Sequence, residues 1–451
     1  MNRVKKAYNF NQIYGAFRNQ PLAVDELDDF FVNADSARGI IPVTKHLAVL
    51  LDAAPGDYQH ILLVGYKGCG KSTELNRLQR DISDRYAVLN YSVFAELDAQ
   101  HIHYIELFIV TLEKLFELAE KEKLDVSGEY IKSITHWMQT KEIEEIRNKY
   151  SVEAEGEVGM DGNIGVPYLK KFFYKFKMTA KSSRSLKETL KTNVEPKLTD
   201  LIERCNELIA EVKFQLRKKQ NKDLLIIIED LDKIPIERAN DLFFNYAGQI
   251  TQLKANVIYT FPITTYYNIR FNNIRNAFTR VQELPMIKLC EKDGRPYDKG
   301  RQLMKEIVEK RMDTKLFADE TLLESLIDKS GGCIRDLFYL ITEAATAALI
   351  TEKDKITKED CIYALNLLKK DYSNTIADNS ERNITAEQYF NELVALAQSS
   401  DKKPDNSEAV LDLRQNLCIL GYNGEGWCDV HPLVKDILIE KGKWKPSQPS
   451  N

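Results

Sequence analysis

Short, continuous apolar runs alternate along this chain with longer stretches of helical periodicity. The residues Ile61-Leu62-Leu63-Val64 follow His60, and the longer run Leu224-Leu225-Ile226-Ile227-Ile228 follows Asp223. Such runs, apolar on every residue, suit strands buried on both faces of a parallel sheet. Further strands are predicted over 86–93 and 256–262, with a last core strand over 284–289. Between them apolar residues recur three and four apart over 41–51, 72–78, 105–118 and 186–218, the spacing of amphipathic helices. Strands that alternate with helices make an α/β fold with a parallel central sheet.

The pattern then changes. Residues 300–371 read as helical throughout and predict a separate helical lid, followed by a polar linker over 372–383. Residues 384–441 read helix, polar turn, helix, strand 418–422, Asn423-Gly424, strand 427–430 and a helix after Pro432. Asn-Gly between two short apolar strands signals a hairpin, and two helices followed by a hairpin predict a winged-helix-like C-terminal domain. Residues 1–40 lack long periodicity and predict an N-terminal arm packed near the base of a nucleotide. The tail over 442–451 is expected to be disordered. The core over 41–290 is interrupted at about 120–215. There Val152, Ala154, Gly156 and Val158 alternate with Glu153, Glu155 and Glu157, a turn follows at 161–163, and 168–178 is aromatic and basic. A β-hairpin with one acidic and one basic strand is the simplest reading.

The junction between the first strand and its helix carries the chemistry. Gly65-Tyr66-Lys67-Gly68-Cys69-Gly70-Lys71-Ser72 is a complete G-x-x-x-x-G-K-S loop. Its glycines allow successive N–H groups to point inward at a phosphate. Lys71 can reach the outer phosphates and Ser72 can place a hydroxyl on Mg²⁺. The helix that opens with Ser72 and Thr73 adds the anion preference of its N-terminus. Lys67, Cys69 and Thr73 complete the nucleotide-binding set. The apolar run at 224–228 ends in Glu229-Asp230-Leu231-Asp232-Lys233. One acid there is needed to hold Mg²⁺ and another to orient or deprotonate water. By position Glu229 is the metal-side acid and Asp230 the water-activating one, while Asp232 is expected in a structural or intersubunit contact. Thr260 ends its strand where a side chain can sense a γ-phosphate. The ligands implied are ATP and Mg²⁺.

Composition narrows the classes. The chain of 451 residues is 43% hydrophobic and 29% charged, with a net charge of −5, so there is no global basic signal for nucleic acid. No apolar run approaches the roughly 18 residues of a membrane span, and the basic N-terminus has no apolar block after it, unlike a signal peptide. Seven scattered cysteines without a C-x-x-C pair read as reduced thiols rather than disulfides or a zinc site. A cytoplasmic protein without a membrane partner is expected.

The phosphate loop, the acidic strand end and Gly331-Gly332-x-x-Arg335-Asp336-Leu337 in the lid together resemble the AAA+ ATPases of the origin-recognition type and the related STAND signalling ATPases. The sequence around Lys71 is similar to bacterial members that act in anti-phage defence. The resemblance implies that Arg335 is the lid arginine reporting on the γ-phosphate and Thr260 the first sensor. Among Arg270, Arg275 and Arg280, Arg280 best matches an arginine finger acting on a neighbouring copy. Many AAA+ members have Asp-Glu where this chain has Glu229-Asp230, which implies slow hydrolysis. The function implied is an ATP-dependent assembly switch: a homo-oligomer with a separate effector protein as partner. The alternative is a nucleic-acid-binding loader or motor. It would use the 168–187 segment, in which Lys170, Lys171, Lys175, Lys177, Lys181, Arg184 and Lys187 are accompanied by no acid. The second helix of the C-terminal domain offers only Arg414 as a base, so a protein–protein role is expected for that domain.

Overall fold

The computed structural model describes residues 3–39, 41–53, 57–138, 198–422 and 426–445. The hairpin predicted within 152–178, the basic 168–187 segment, the 423–424 turn and the tail from 446 lie outside the described residues. The centre is a five-stranded parallel sheet of β1 His60–Gly65, β2 Tyr86–Ser92, β3 Asp223–Glu229, β4 Asn256–Phe261 and β5 Arg280–Leu284. The order is β2-β3-β4-β1-β5. All of β1 and β4 is buried, and so is β3 beyond Asp223, which is why these strands carry apolar runs instead of an alternating pattern. β4 lies between β1 and β3. The phosphate-loop strand and the acidic strand are therefore not neighbours, and Thr260 near the end of β4 stands between them.

The last core strand differs from expectation. It is Arg280–Leu284, not 284–289. Arg280-Val281-Gln282-Glu283 is polar because β5 is an edge strand, half exposed until Leu284. The apolar residues after it are buried for another reason: the C-terminal hairpin covers them. Met286 N donates to Gly421 O at 3.1 Å, and Met286 bridges Tyr422.

Around the sheet pack α1 Val43–Asp52, α2 Lys71–Asp81, α3 Tyr104–Lys121 and α4 Leu198–Gln220. The lid comprises α5 Asp298–Arg311, α6 Glu320–Lys329, α7 Ile334–Ile350 and α8 Lys358–Thr375. Tyr372, expected in a linker, lies inside α8 and is buried. Its hydroxyl donates to Asp336 Oδ2 at 2.6 Å. The C-terminal part runs α9 Ala386–Gln398, α10 Glu408–Gln415, β6 Ile419–Tyr422, β7 Trp427–Val430 and α11 Pro432–Glu440. Two helices, an antiparallel hairpin and a closing helix are a winged-helix-like arrangement.

The arm is not peripheral. Ala7 N donates to Arg311 O at 2.7 Å, Asp313 N to Ala7 O at 2.9 Å, and Phe17 meets Phe338 edge-on at 5.1 Å. Those contacts bind it to the lid. Leu22 N donates to Thr73 Oγ1 at 3.3 Å and Asn76 Nδ2 to Leu22 O at 2.8 Å, which binds it to the first turns of α2.

The turn into α7 presses on the core. Gly332 has φ +79, and a Cβ there would sit 1.8 Å from Ile287 O. Gly332→Ala is expected to cost at least about 2 kcal/mol, because strain and a backbone clash coincide. Gly294→Ala, at φ +88 with nothing within 4 Å, should cost only about 1 kcal/mol. Urea midpoints of the two variants check this, and equal losses would remove the clash as the cause.

Candidate phosphate-binding site

The loop between β1 and α2 closes because Gly68 and Gly70 take φ +78 and +99, values in the left-handed region that favours glycine. Gly68 is also short of room. A Cβ there would lie 2.7 Å from Arg335 Cβ. The lid arginine therefore sits against the phosphate loop, as the spacing of the lid motif implied. Both line one cavity, whose walls also include Lys67, Gly70, Lys71, Ser72, Thr73 and Asp232. Arg335 Nε is buried without a hydrogen-bond acceptor.

Lys71 is buried, and its ammonium donates to Gly65 O at 2.7 Å and Tyr66 O at 2.8 Å. It also lies 2.9 Å from Asp232 Oδ2. Burial penalises the Lys71 charge, but Asp232 outweighs it and holds the ammonium above its ordinary pKa. Burial likewise opposes the Asp232 carboxylate, and Lys71 keeps it below its ordinary value. The half-buried Lys67 has no such direct partner, and burial lowers its pKa. Asp232, expected to be structural or intersubunit, is thus the counter-charge of the loop lysine within the chain.

Glu229 comes to the other side of the loop. The Ser72 hydroxyl donates to it, and Asn90 Nδ2 donates to Glu229 Oε1 at 2.8 Å. Burial raises its pKa, and these two hydrogen bonds oppose the rise. A hydroxyl and a carboxylate already in contact are a ligand pair suited to Mg²⁺. Asp230 is in the left-handed region at φ +68 and turns away from the cavity wall. Its carboxylate accepts from Ser92 and pairs with Lys233. Thr260 is buried and accepts from Leu231 N at 3.1 Å. It fixes the turn that carries both Asp230 and Asp232.

Arg280 does not join this cavity. It begins β5 and pairs with Ile61, whereas the phosphate loop leaves β1 where Gly65 pairs with Leu284, at the opposite end. It is not before the last core strand but in it. Arg270 lies over the Phe244 ring at 4.5 Å.

Three residues escaped the sequence reading. Arg38, in the arm, donates to Cys69 O at 2.6 Å and Pro285 O at 2.9 Å, and clamps the loop to the end of β5. No periodicity marks it. Asn90 and Ser92 were visible only as polar residues near the end of a strand. Arg414, read as a possible base on an exposed helix, is buried instead. Its guanidinium donates to Tyr66 Oη at 2.8 Å, lies 3.2 Å from Cys428 Sγ and stacks 4.0 Å over Tyr267.

A cradle of loop N–H groups, two lysines and an unpartnered buried guanidinium fits a polyphosphate. Residues 40–254 match the KAP family P-loop domain. That part of the chain is a P-loop nucleoside triphosphatase domain. Among solved structures, the chain is similar to the Walker-type ATPase of Pyrococcus abyssi at 13% identity and TM-score 0.41, over 94% of this chain and 99% of that one. Cdc6p from Pyrobaculum aerophilum gives 12% identity and TM-score 0.36, over 92% and 99%. ORC1 of Aeropyrum pernix, solved in complex with DNA, gives 12% and 0.35, over 90% and 95%. A comparison with curated proteins gives no match. No helix of the described residues is long and apolar enough to cross a membrane.

Asp232→Asn is expected to destabilise the nucleotide-free protein by about 3 kcal/mol, because it leaves Lys71 buried without its counter-charge. The lowered Asp232 pKa makes the pair's contribution complete above the ordinary carboxylate range and lost as pH falls through the lowered value. The raised Lys71 pKa removes it only as pH rises through that raised value. The difference from wild type should therefore be flat between about pH 5 and 9 and shrink below about pH 4. Urea unfolding at several pH values measures it. A constant difference down to pH 2 would show that the charge pair is not its source.

Proposed function

We propose that the protein binds ATP with Mg²⁺, hydrolyses it slowly, and acts as a nucleotide-dependent assembly switch. The observation that carries the reading is Arg335. It is the second residue of α7, buried against the phosphate loop with an unused donor, and it is followed by Asp336. That carboxylate accepts from Tyr372 and lies 3.2 Å from His431 Nε2 of the C-terminal hairpin region. Whatever draws Arg335 also pulls on a node where the lid and the winged-helix-like part meet.

Bound MgATP would supply the anionic charge and the bond to be cleaved. For the chain, Lys71 would give up Gly65 O, Tyr66 O and Asp232 to face phosphate oxygens, with Lys67 beside it. Ser72 and Glu229 would hold the metal. Asp230 is proposed to orient water, helped by Ser92, and Thr260 keeps its turn in place. An aspartate is shorter than a glutamate, and this one is engaged with Lys233, which supports slow turnover. A separate effector protein and self-association are proposed on the resemblance to anti-phage defence ATPases. Co-purification with the product of an adjacent gene in the presence and absence of ATP tests that partner.

Lys71→Ala should weaken ATP binding at least about a hundredfold, since several phosphate oxygens lose their counter-charge. Asp230→Asn should bind ATP normally but slow hydrolysis by about a hundredfold or more. Arg335→Ala should lower affinity for ATP about tenfold while leaving ADP almost unchanged. Calorimetry with each nucleotide and single-turnover hydrolysis measure these. Normal turnover by Asp230→Asn would move the water-orienting role to Asp232, and equal losses for ATP and ADP would deny Arg335 a γ-phosphate role.

A further inference from the structure

The chain is acidic, yet no aspartate or glutamate occurs between Asp241 and Glu283, while Lys254, Arg270, Arg275 and Arg280 do. The later part of this stretch lines a groove of about 910 Å³ beside β5. It begins at Tyr266 and Tyr267, after β4, near the phosphate-loop end of the sheet. It ends at Arg280, where β5 starts. The five residues of β5 set that span at roughly 13 Å.

We propose that this groove binds single-stranded nucleic acid. Arg275 and Arg280 are exposed, line it, and form no ion pair among the described residues. Asn268, Asn272, Asn276 and, from the C-terminal part, Asn406 line it as well. Tyr266 forms part of its wall, held edge-on by Phe271 at 5.1 Å, and Ile269 is 84% exposed. No acid is among the lining residues. Asp405 and Glu408 flank Asn406 in sequence but stay outside, and nearby Glu283 accepts from Tyr267 with the Arg414 charge beside it.

Each lining type matches one part of a nucleotide strand. Guanidinium groups bind phosphates. Amides present a donor and an acceptor together, which base edges require. A fixed ring gives a base a surface to stack on. An acidic peptide would engage the two arginines but give the four amides and the ring no task. The proposal does not depend on the nucleotide site, because binding is measured without nucleotide.

The test uses the full chain and a fluorescein-labelled oligothymidylate, with anisotropy read across a KCl series. Wild type should bind with a salt-dependent affinity. Arg275→Gln with Arg280→Gln should weaken binding about tenfold and reduce the log–log salt slope by about 1.4 units, near 0.7 for each phosphate released. Tyr266→Leu should weaken binding roughly tenfold with the slope unchanged, since it removes stacking and no charge. The melting temperature of the double variant should match wild type, because both side chains are exposed. An unchanged slope in the double variant would overturn the proposal and assign any binding to another surface. So would a double variant that binds the oligonucleotide normally but loses self-association in sedimentation, which would make the groove a contact between copies.

Discussion

A buried ammonium needs a counter-charge, and the position of Lys71 makes that need govern the site. Lys71 lies at the start of α2, held over its own loop carbonyls, and no neighbouring strand supplies an acid. Asp232 reaches it from beyond the end of β3, two strands away. Several features follow. β4 must lie between, so Thr260 is the residue able to pin the turn after β3. Asp230 must take a left-handed conformation so that Asp232 can point back. The pair also makes the nucleotide-free loop self-satisfied: a phosphate has to replace two carbonyls and a carboxylate, not enter an open charge. The site is thus poised between two arrangements of one lysine.

Much of this was legible in the sequence, and for identifiable reasons. The loop from Gly65 to Ser72 and the acids after Ile228 are local, so adjacency in sequence is adjacency in space. The buried strands were equally plain, since a run with no polar residue has no other stable place. What failed was of another kind. β5 was displaced because an edge strand carries polar residues that look like a loop. Tyr372 looked like linker because its one polar atom is satisfied by Asp336, a partner thirty-six positions away. Arg38 and Arg414 gave no signal, because a guanidinium that clamps backbone or stacks on a ring looks in sequence like any surface arginine. Asp232 was seen but not paired, because which of three acids turns inward depends on a backbone dihedral.

The C-terminal part is built into the site more tightly than a winged helix on a linker. Tyr422 Oη donates to Gly331 O at 2.7 Å. A Cβ on Gly331 would meet Leu420 and Pro432 at 2.8 Å each. His431 is fully buried beside Asp336. The hairpin therefore packs on the very turn that presents Arg335. The second helix, the one that a DNA-reading winged helix would expose, instead buries its arginine against Tyr66. The structure thus removes that helix as a free recognition surface and makes it a strut against the phosphate loop.

That strut also defines how two distant surfaces are connected. Tyr267 lines the groove beside β5, Arg414 stacks over its ring, and the same guanidinium donates to Tyr66, whose carbonyl holds Lys71. Contiguity alone does not make a pathway; a two-state element has to lie on it. Lys71 is such an element, since its ammonium rests on Tyr66 O without nucleotide and must leave that oxygen to meet a phosphate. The Tyr66 peptide is then released at one end while its side chain stays fixed at the other. Strain of that kind is felt first by Arg414, which has no second route to satisfy the phenol. A change in phosphate occupancy would therefore reach the groove wall through one guanidinium, and any ligand that moved Tyr267 would bias the loop lysine in return.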